Sequence, residues 1–157
     1  MEAVRLADQL VRAHHGDPWH GSALRTILQG VSASQAARRP AAEAHSIWEI
    51  VLHLAGWRNE VARRAGGAPA AEPEGGDWPP VGDPSPDRWA AALAALDAAH
   101  ERLLAAVGGL TDEALAAPSV DPRDRSLGAG VTYRELFHGI VQHDAYHAGQ
   151  IALLKKL

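Results

Sequence analysis

The chain has no cysteine. Thiolate nucleophiles, cysteine-ligated zinc, iron–sulfur clusters and internal redox switches are therefore excluded, and a thiol in its chemistry must come from a substrate. It is also poor in sheet-forming residues. It has one Phe and two Tyr, and Val and Ile are sparse beside Ala and Leu. Ala and Leu lose little on entering a helix, while β-branched and aromatic side chains prefer strands, so the composition predicts an all-α fold. A basic block is missing too: 15 basic side chains face 19 acidic ones, for a net charge of -4. Non-specific nucleic-acid binding then lacks its electrostatic source, and no polybasic amphipathic segment points to a membrane surface. No apolar run approaches the roughly 18 residues that span a bilayer. The opening MEAVRLADQL carries acids among its apolar residues and has no signal-peptide core. The expectation is a cytoplasmic protein with neither a nucleic-acid nor a membrane partner.

What is present suits one domain over residues 1–157. The chain is 46% apolar, and its 157 residues are enough to bury one sizeable core without disulfides. Helical segments are readable from their punctuation. Residues 2–14 place Val4, Leu6, Leu10 and Val11 at helical spacing, Gly16-Asp17-Pro18 interrupts them, and Ser22 to Leu28 resumes. Both pieces are read as one broken first helix. Residues 30–45 form a connection with at most a short turn, since Pro40 blocks a continuous helix. Ser46-Ile-Trp-Glu49 has the form of a capping box and opens a helix that runs to Arg64, before Gly66-Gly67. Residues 68–86 are a Pro/Gly/Ala-rich surface loop that Trp78 can pin down. Ser85-Pro86 opens a third helix, which ends at Gly108-Gly109. A short turn covers Thr111 to Leu115 and a loop covers residues 118–130. A second capping box, Thr132-Tyr-Arg-Glu135, starts a last helix that runs nearly to the end. No internal repeat or strand pattern is found. Four main helices with long middle connections predict a bundle.

Nine histidines are the conspicuous surplus. His143 and His147 stand four apart in the last helix, so they share a face one turn apart and can chelate one metal ion without moving the backbone. Leu136, Ile140, Gln150 and Leu154 fall on or near that face, which aims the pair inward. His138 precedes His143 by five positions and is rotated away, so it is not expected to be a ligand. His53 shares its face with Ile50 and Trp57 and also points inward, where an imidazole needs a partner. A metal shared with His143 and His147 would supply one, and three protein ligands leave the open position typical of catalytic sites. A satisfied core histidine is the plain alternative for His53. His14, His15, His20 and His45 lie near loops or helix ends and are expected to be solvated. Glu49, Glu60 and Gln150 are candidates to orient the metal-binding rings, with Asp144 about a quarter-turn off their face. Tyr146 and Trp48 are expected to pack between helices. Trp19 and Trp57 either line a site mouth or, as the default, pack in the core.

Read together, three segments resemble the DinB-like (DinB/YfiT) superfamily of small metalloproteins. They are Trp19-His-Gly21, the run Ser46-Ile-Trp-Glu-Ile-Val-Leu-His53-Leu-Ala-Gly-Trp57, and Gly139-Ile-Val-Gln-His143-Asp-Ala-Tyr-His147-Ala-Gly-Gln150-Ile151. The resemblance covers nearly the whole chain, and the His143-to-Gln150 ending is its most specific part. It implies an antiparallel four-helix bundle with a metal triad at His53, His143 and His147. It also implies one divalent ion, zinc or nickel, homodimers, and a role borrowed from stress-response relatives. Some relatives transfer groups to or from a low-molecular-weight thiol of the bacillithiol, mycothiol or glutathione type, and others are described as metal-dependent hydrolases. The resemblance thus implies a thiol-dependent transferase acting on a small-molecule substrate, with a metal-dependent hydrolase or a non-catalytic metal-binding bundle as alternatives.

Overall fold

In the computed structural model, residues 1–121 and 131–157 are described. The part of the expected 118–130 loop from residue 122 onward lies outside them. The helix starts follow the polar punctuation. The hydroxyl of Ser46 accepts from the Glu49 N–H while the Glu49 carboxylate accepts from the Ser46 N–H, and Thr132 and Glu135 repeat the arrangement. Each box satisfies two backbone donors that a helix start otherwise leaves bare. Ser85 caps the helix opened by Pro86, Ser32 and Thr111 cap two single-turn helices, and Gly67, at φ 88, takes the chain out of a helix.

The described residues form seven helices: α1 (Glu2–His14), α2 (Leu24–Leu28), α3 (Ala33–Ala37), α4 (Ile47–Ala65), α5 (Pro86–Gly108), α6 (Asp112–Ala116) and α7 (Tyr133–Leu154). Among them there is no strand, only an isolated antiparallel bridge between Pro118 and Thr132. The all-α reading holds. The single broken first helix does not. Residues 16–23 carry no helix, and the two pieces are separate elements, α1 packed on α5 and α7 and α2 packed on α7. Gly16 and Pro18 end the first piece, and the second starts at Leu24, two residues later than the expected Ser22. No helix of the described residues is long and apolar enough to cross a membrane.

The long helices pack in a ring, α4 on α5 and α7, and α1 on α5 and α7. Two apolar clusters fill it. One holds Trp48, Leu54, Trp89, Leu96 and Ile151, the other Leu6, Leu10, Val61, Leu103 and Phe137. On α4, α5 and α7 the residues between the clusters are polar and buried: Arg58, His100 and Asp144. Arg58 donates from Nε and Nη2 to Asp144 Oδ2 at 3.1 and 2.9 Å, and its Nη1 lies 3.2 Å from His14 Nδ1. A guanidinium only donates, so His14 Nδ1 is the acceptor and its Nε2–H donates to Asp97 Oδ1 at 3.0 Å. This chain of charge-assisted bonds ties α7, α4, α1 and α5 together across the middle of the core. Burial holds the Asp144 carboxyl above its usual range, opposed by the Arg58 charge.

One backbone approach matters for the site. Gly56, one turn beyond His53, lies against the loop between α4 and α5, where an added Cβ would come within 3.1 Å of Pro73 Cβ. The absence of a side chain there lets the loop lie down on α4 and deliver Asp77 and Trp78 to His53.

Candidate metal centre

His53 from α4 and His143 and His147 from α7 converge, with one ring nitrogen of each within 4.8 Å of the others. Their ring centres are 4.9, 4.7 and 4.5 Å apart, at interplanar angles of 41°, 70° and 75°. Two imidazoles sharing an ion about 2.1 Å from each nitrogen have ring centres about 4.5–5.5 Å apart, so the three rings fit a common cation.

Hydrogen bonds fix which nitrogens are free. His53 Nδ1 lies 2.7 Å from the Asp77 carbonyl oxygen, which can only accept, so Nδ1 carries the proton and Nε2 keeps its lone pair. His147 Nδ1 donates to Gln150 Oε1 at 2.6 Å, which leaves Nε2 free in the same way. His53 Nε2 and His143 Nε2 face each other at 2.9 Å. With the His53 lone pair turned inward, that spacing calls for a proton or a cation between the rings. His143 Nδ1 is buried without a partner. Burial pushes the His143 imidazole down to about 4, helped by repulsion from His147 and His53, and burial lowers His147 as well. These shifts favour the neutral form of His143 and His147, the form that binds metal. Among the described residues no carboxylate joins the cluster as a fourth ligand.

The surroundings hold the first ring rigidly. Trp78 stacks on His53 with centres 4.0 Å apart and planes 8° from parallel, and His45 stacks on the far face of the same indole at 3.5 Å. Asp77 Oδ1 accepts from Trp57 Nε1 at 2.7 Å and lies 3.2 Å from His53 Nδ1. The centre opens on a cavity of about 470 Å³ lined by His53, His143, Trp57, Val61, Leu136 and Ile140 among others, largely apolar with Asp77 and Glu135 in its wall. A larger cavity, about 760 Å³, lies around Asn59 and Arg102 and has no histidine in its lining.

The expected supporting residues divide. Gln150 reaches His147 as described. Glu49 is held by Ser46 and by an ion pair with Arg39, and these outweigh the effect of its burial and lower its carboxyl. Glu60 is buried between Arg63 and Arg64, which likewise overcome its burial. Both glutamates are therefore committed to other partners. Asp144 turns to Arg58. Trp57 lines the cavity mouth, while Trp19 is 102% exposed and neither packs in the core nor lines the cavity. Trp48 packs against Trp89, but Tyr146, expected between helices, is exposed with its ring edge-on to His147. His15 and His20 are exposed as expected. His14 is buried and His45 is stacked on Trp78, so neither is a solvated end residue. His138 lies outside the cluster, 3.4 Å from Glu2. Asp77, Trp78 and the buried His100 were not singled out from the sequence as site residues. The first two lie in a loop without periodicity, and only the Trp in a Pro/Gly-rich stretch signalled an anchor.

Fold and site together define an all-helical protein with a buried cluster of three imidazoles beside an apolar cavity. The family model of the DinB superfamily matches residues 19–151, and the chain belongs to that family. Among solved structures it is similar to a DinB-like protein, YjoA, from Bacillus subtilis, with a TM-score of 0.67 and 18% identity, covering 97% of this chain and 90% of that one. At that identity the likeness speaks for the fold. No curated protein matches the chain.

Proposed function

We propose that this chain is a metal-dependent enzyme built on an antiparallel four-helix bundle of the DinB/YfiT type. In this reading His53, His143 and His147 hold one divalent ion, zinc or nickel, and the protein moves a group to or from a low-molecular-weight thiol. The observation that carries the reading is the convergence of three imidazoles beside a largely apolar cavity, whose wall includes His53 and His143, with no fourth protein ligand among the described residues. Three ligands and an adjoining cavity leave room for a substrate at the cation, whereas a purely structural zinc site is usually closed by four protein ligands.

A bound cation would supply a positive centre that favours the thiolate form of a thiol. The chain's own residues do the rest. The Asp77 carbonyl and the Gln150 amide oxygen hold the Nδ1 protons of His53 and His147, so the Nε2 atoms stay available. Trp78 covers one face of His53 and keeps water from that side. Trp57, Val61, Leu136 and Ile140 offer an apolar surface to the organic part of a substrate. With no cysteine in the chain, no internal thiolate competes for the ion. We also propose a homodimer. Tyr146 and Leu153, both exposed and seven residues apart on α7, form an apolar stripe suited to a second copy.

The test uses zinc- or nickel-loaded protein without an affinity tag, incubated with bacillithiol, mycothiol or glutathione and a panel of electrophiles. Metal-dependent thiol consumption that falls at least tenfold in His147→Ala supports the reading. Thiol-independent cleavage of ester or amide substrates by the loaded protein would favour a hydrolase, and inactivity towards both panels would favour a non-catalytic bundle.

A further inference from the structure

A second group of imidazoles lies where the end of α1 meets the middle of α5. One ring nitrogen each of His14, His15 and His100 lies within 4.8 Å of the others. None of the three belongs to the group formed by His53, His143 and His147. His100 is 1% exposed, and neither of its ring nitrogens has a hydrogen-bond partner. A buried imidazole left bare at both nitrogens is costly and calls for an explanation.

His14 cannot supply one. Its Nδ1 accepts from Arg58 and its Nε2–H donates to Asp97, so both nitrogens are engaged. It also stacks on His100, with centres 4.0 Å apart and planes 26° from parallel, so the in-plane lone pairs of the two rings run side by side rather than meeting. His15 differs on each count. It stands edge-on to His100, with centres 5.6 Å apart at 87°, close to the spacing of two imidazoles on one ion. It is exposed, which gives an ion a path from solvent. Charge at the junction is balanced: Arg58 is paired with Asp144, and Asp97 faces both His14 and Arg25.

We propose that His15 and His100 bind a second divalent cation of the borderline class served by imidazole, such as zinc, nickel or copper, with water completing its coordination. The stacked His14 and its Asp97 partner form the inner wall of the site. Two protein ligands make it weaker than the triad and open to exchange.

Zinc titration of tag-free protein by calorimetry tests this. Wild type is expected to take two equivalents, the second at least tenfold weaker. His15→Ala, at an exposed position that does not endanger folding, should keep only the first. His53→Ala should keep only the second, and the double variant neither. A wild type that takes a single equivalent, lost in His53→Ala, overturns the proposal. So does a second equivalent that survives His15→Ala. Loss of the first equivalent alone would strike at the triad and not at this site.

Discussion

Acidification should destabilise this protein through two rings that take no part in the proposed triad. His14 and His100 are both buried in the core, 4.0 Å apart and beside Arg58. Burial lowers each to about 3, reinforced for His14 by the Arg58 charge and for His100 by His14 and Arg58. In the unfolded chain each takes a proton near the usual value of about 6.5. Between these limits the unfolded state binds more protons, so stability falls as pH falls from about 6.5 towards 3 and is fully present above that window. From about pH 7.5 to about pH 5 each ring costs about 2 kcal/mol, and the pair about 4, an upper figure because stacked rings titrate together. That is a large share of the roughly 5–15 kcal/mol that holds a domain folded. The measurement is urea unfolding with a chelator present, at several pH values above the carboxylate range, for wild type and His100→Leu. The slope of stability against pH should be smaller in the variant by about one proton, roughly 1.4 kcal/mol per pH unit. Equal slopes would refute the claim that His100 is held neutral by burial.

Two further outcomes follow from particular contacts. Gln150→Leu removes the acceptor that fixes the His147 Nδ1 proton, and zinc affinity should fall about 10- to 100-fold in a chelator competition; unchanged affinity would remove Gln150 from the site. Arg58→Met leaves Asp144 buried without its cation and should cost about 3–5 kcal/mol in urea unfolding, most of it recovered in Arg58→Met/Asp144→Leu, whereas additive losses would show that the pair is not coupled.

The sequence made the site legible where a local rule applied and hid it where partners come from afar. The four-residue spacing of His143 and His147 and the apolar neighbours of His53 were enough to aim all three inward. Both capping boxes fixed helix starts to the residue, because their hydrogen bonds are made within one turn. Gln150 was legible because it lies three positions from His147 on one helix face. Asp77 and Trp78 were not, since they reach His53 from a loop 24 residues on whose path depends on Gly56 having no side chain. His14 looked like a solvated helix end because its partners Arg58 and Asp97 lie 44 and 83 residues away. Trp19 and Tyr146 show the converse, since large aromatic rings pack in the core only where the fold offers them a neighbour.

The central claim is that His53, His143 and His147 share one cation. The most direct test is X-ray absorption at the zinc edge on tag-free protein loaded with one equivalent of zinc. The account predicts imidazole scattering from three nitrogens at about 2.0–2.1 Å, with that signal lost in His143→Ala/His147→Ala. A spectrum without imidazole scattering, or one that the double substitution leaves unchanged, would contradict it.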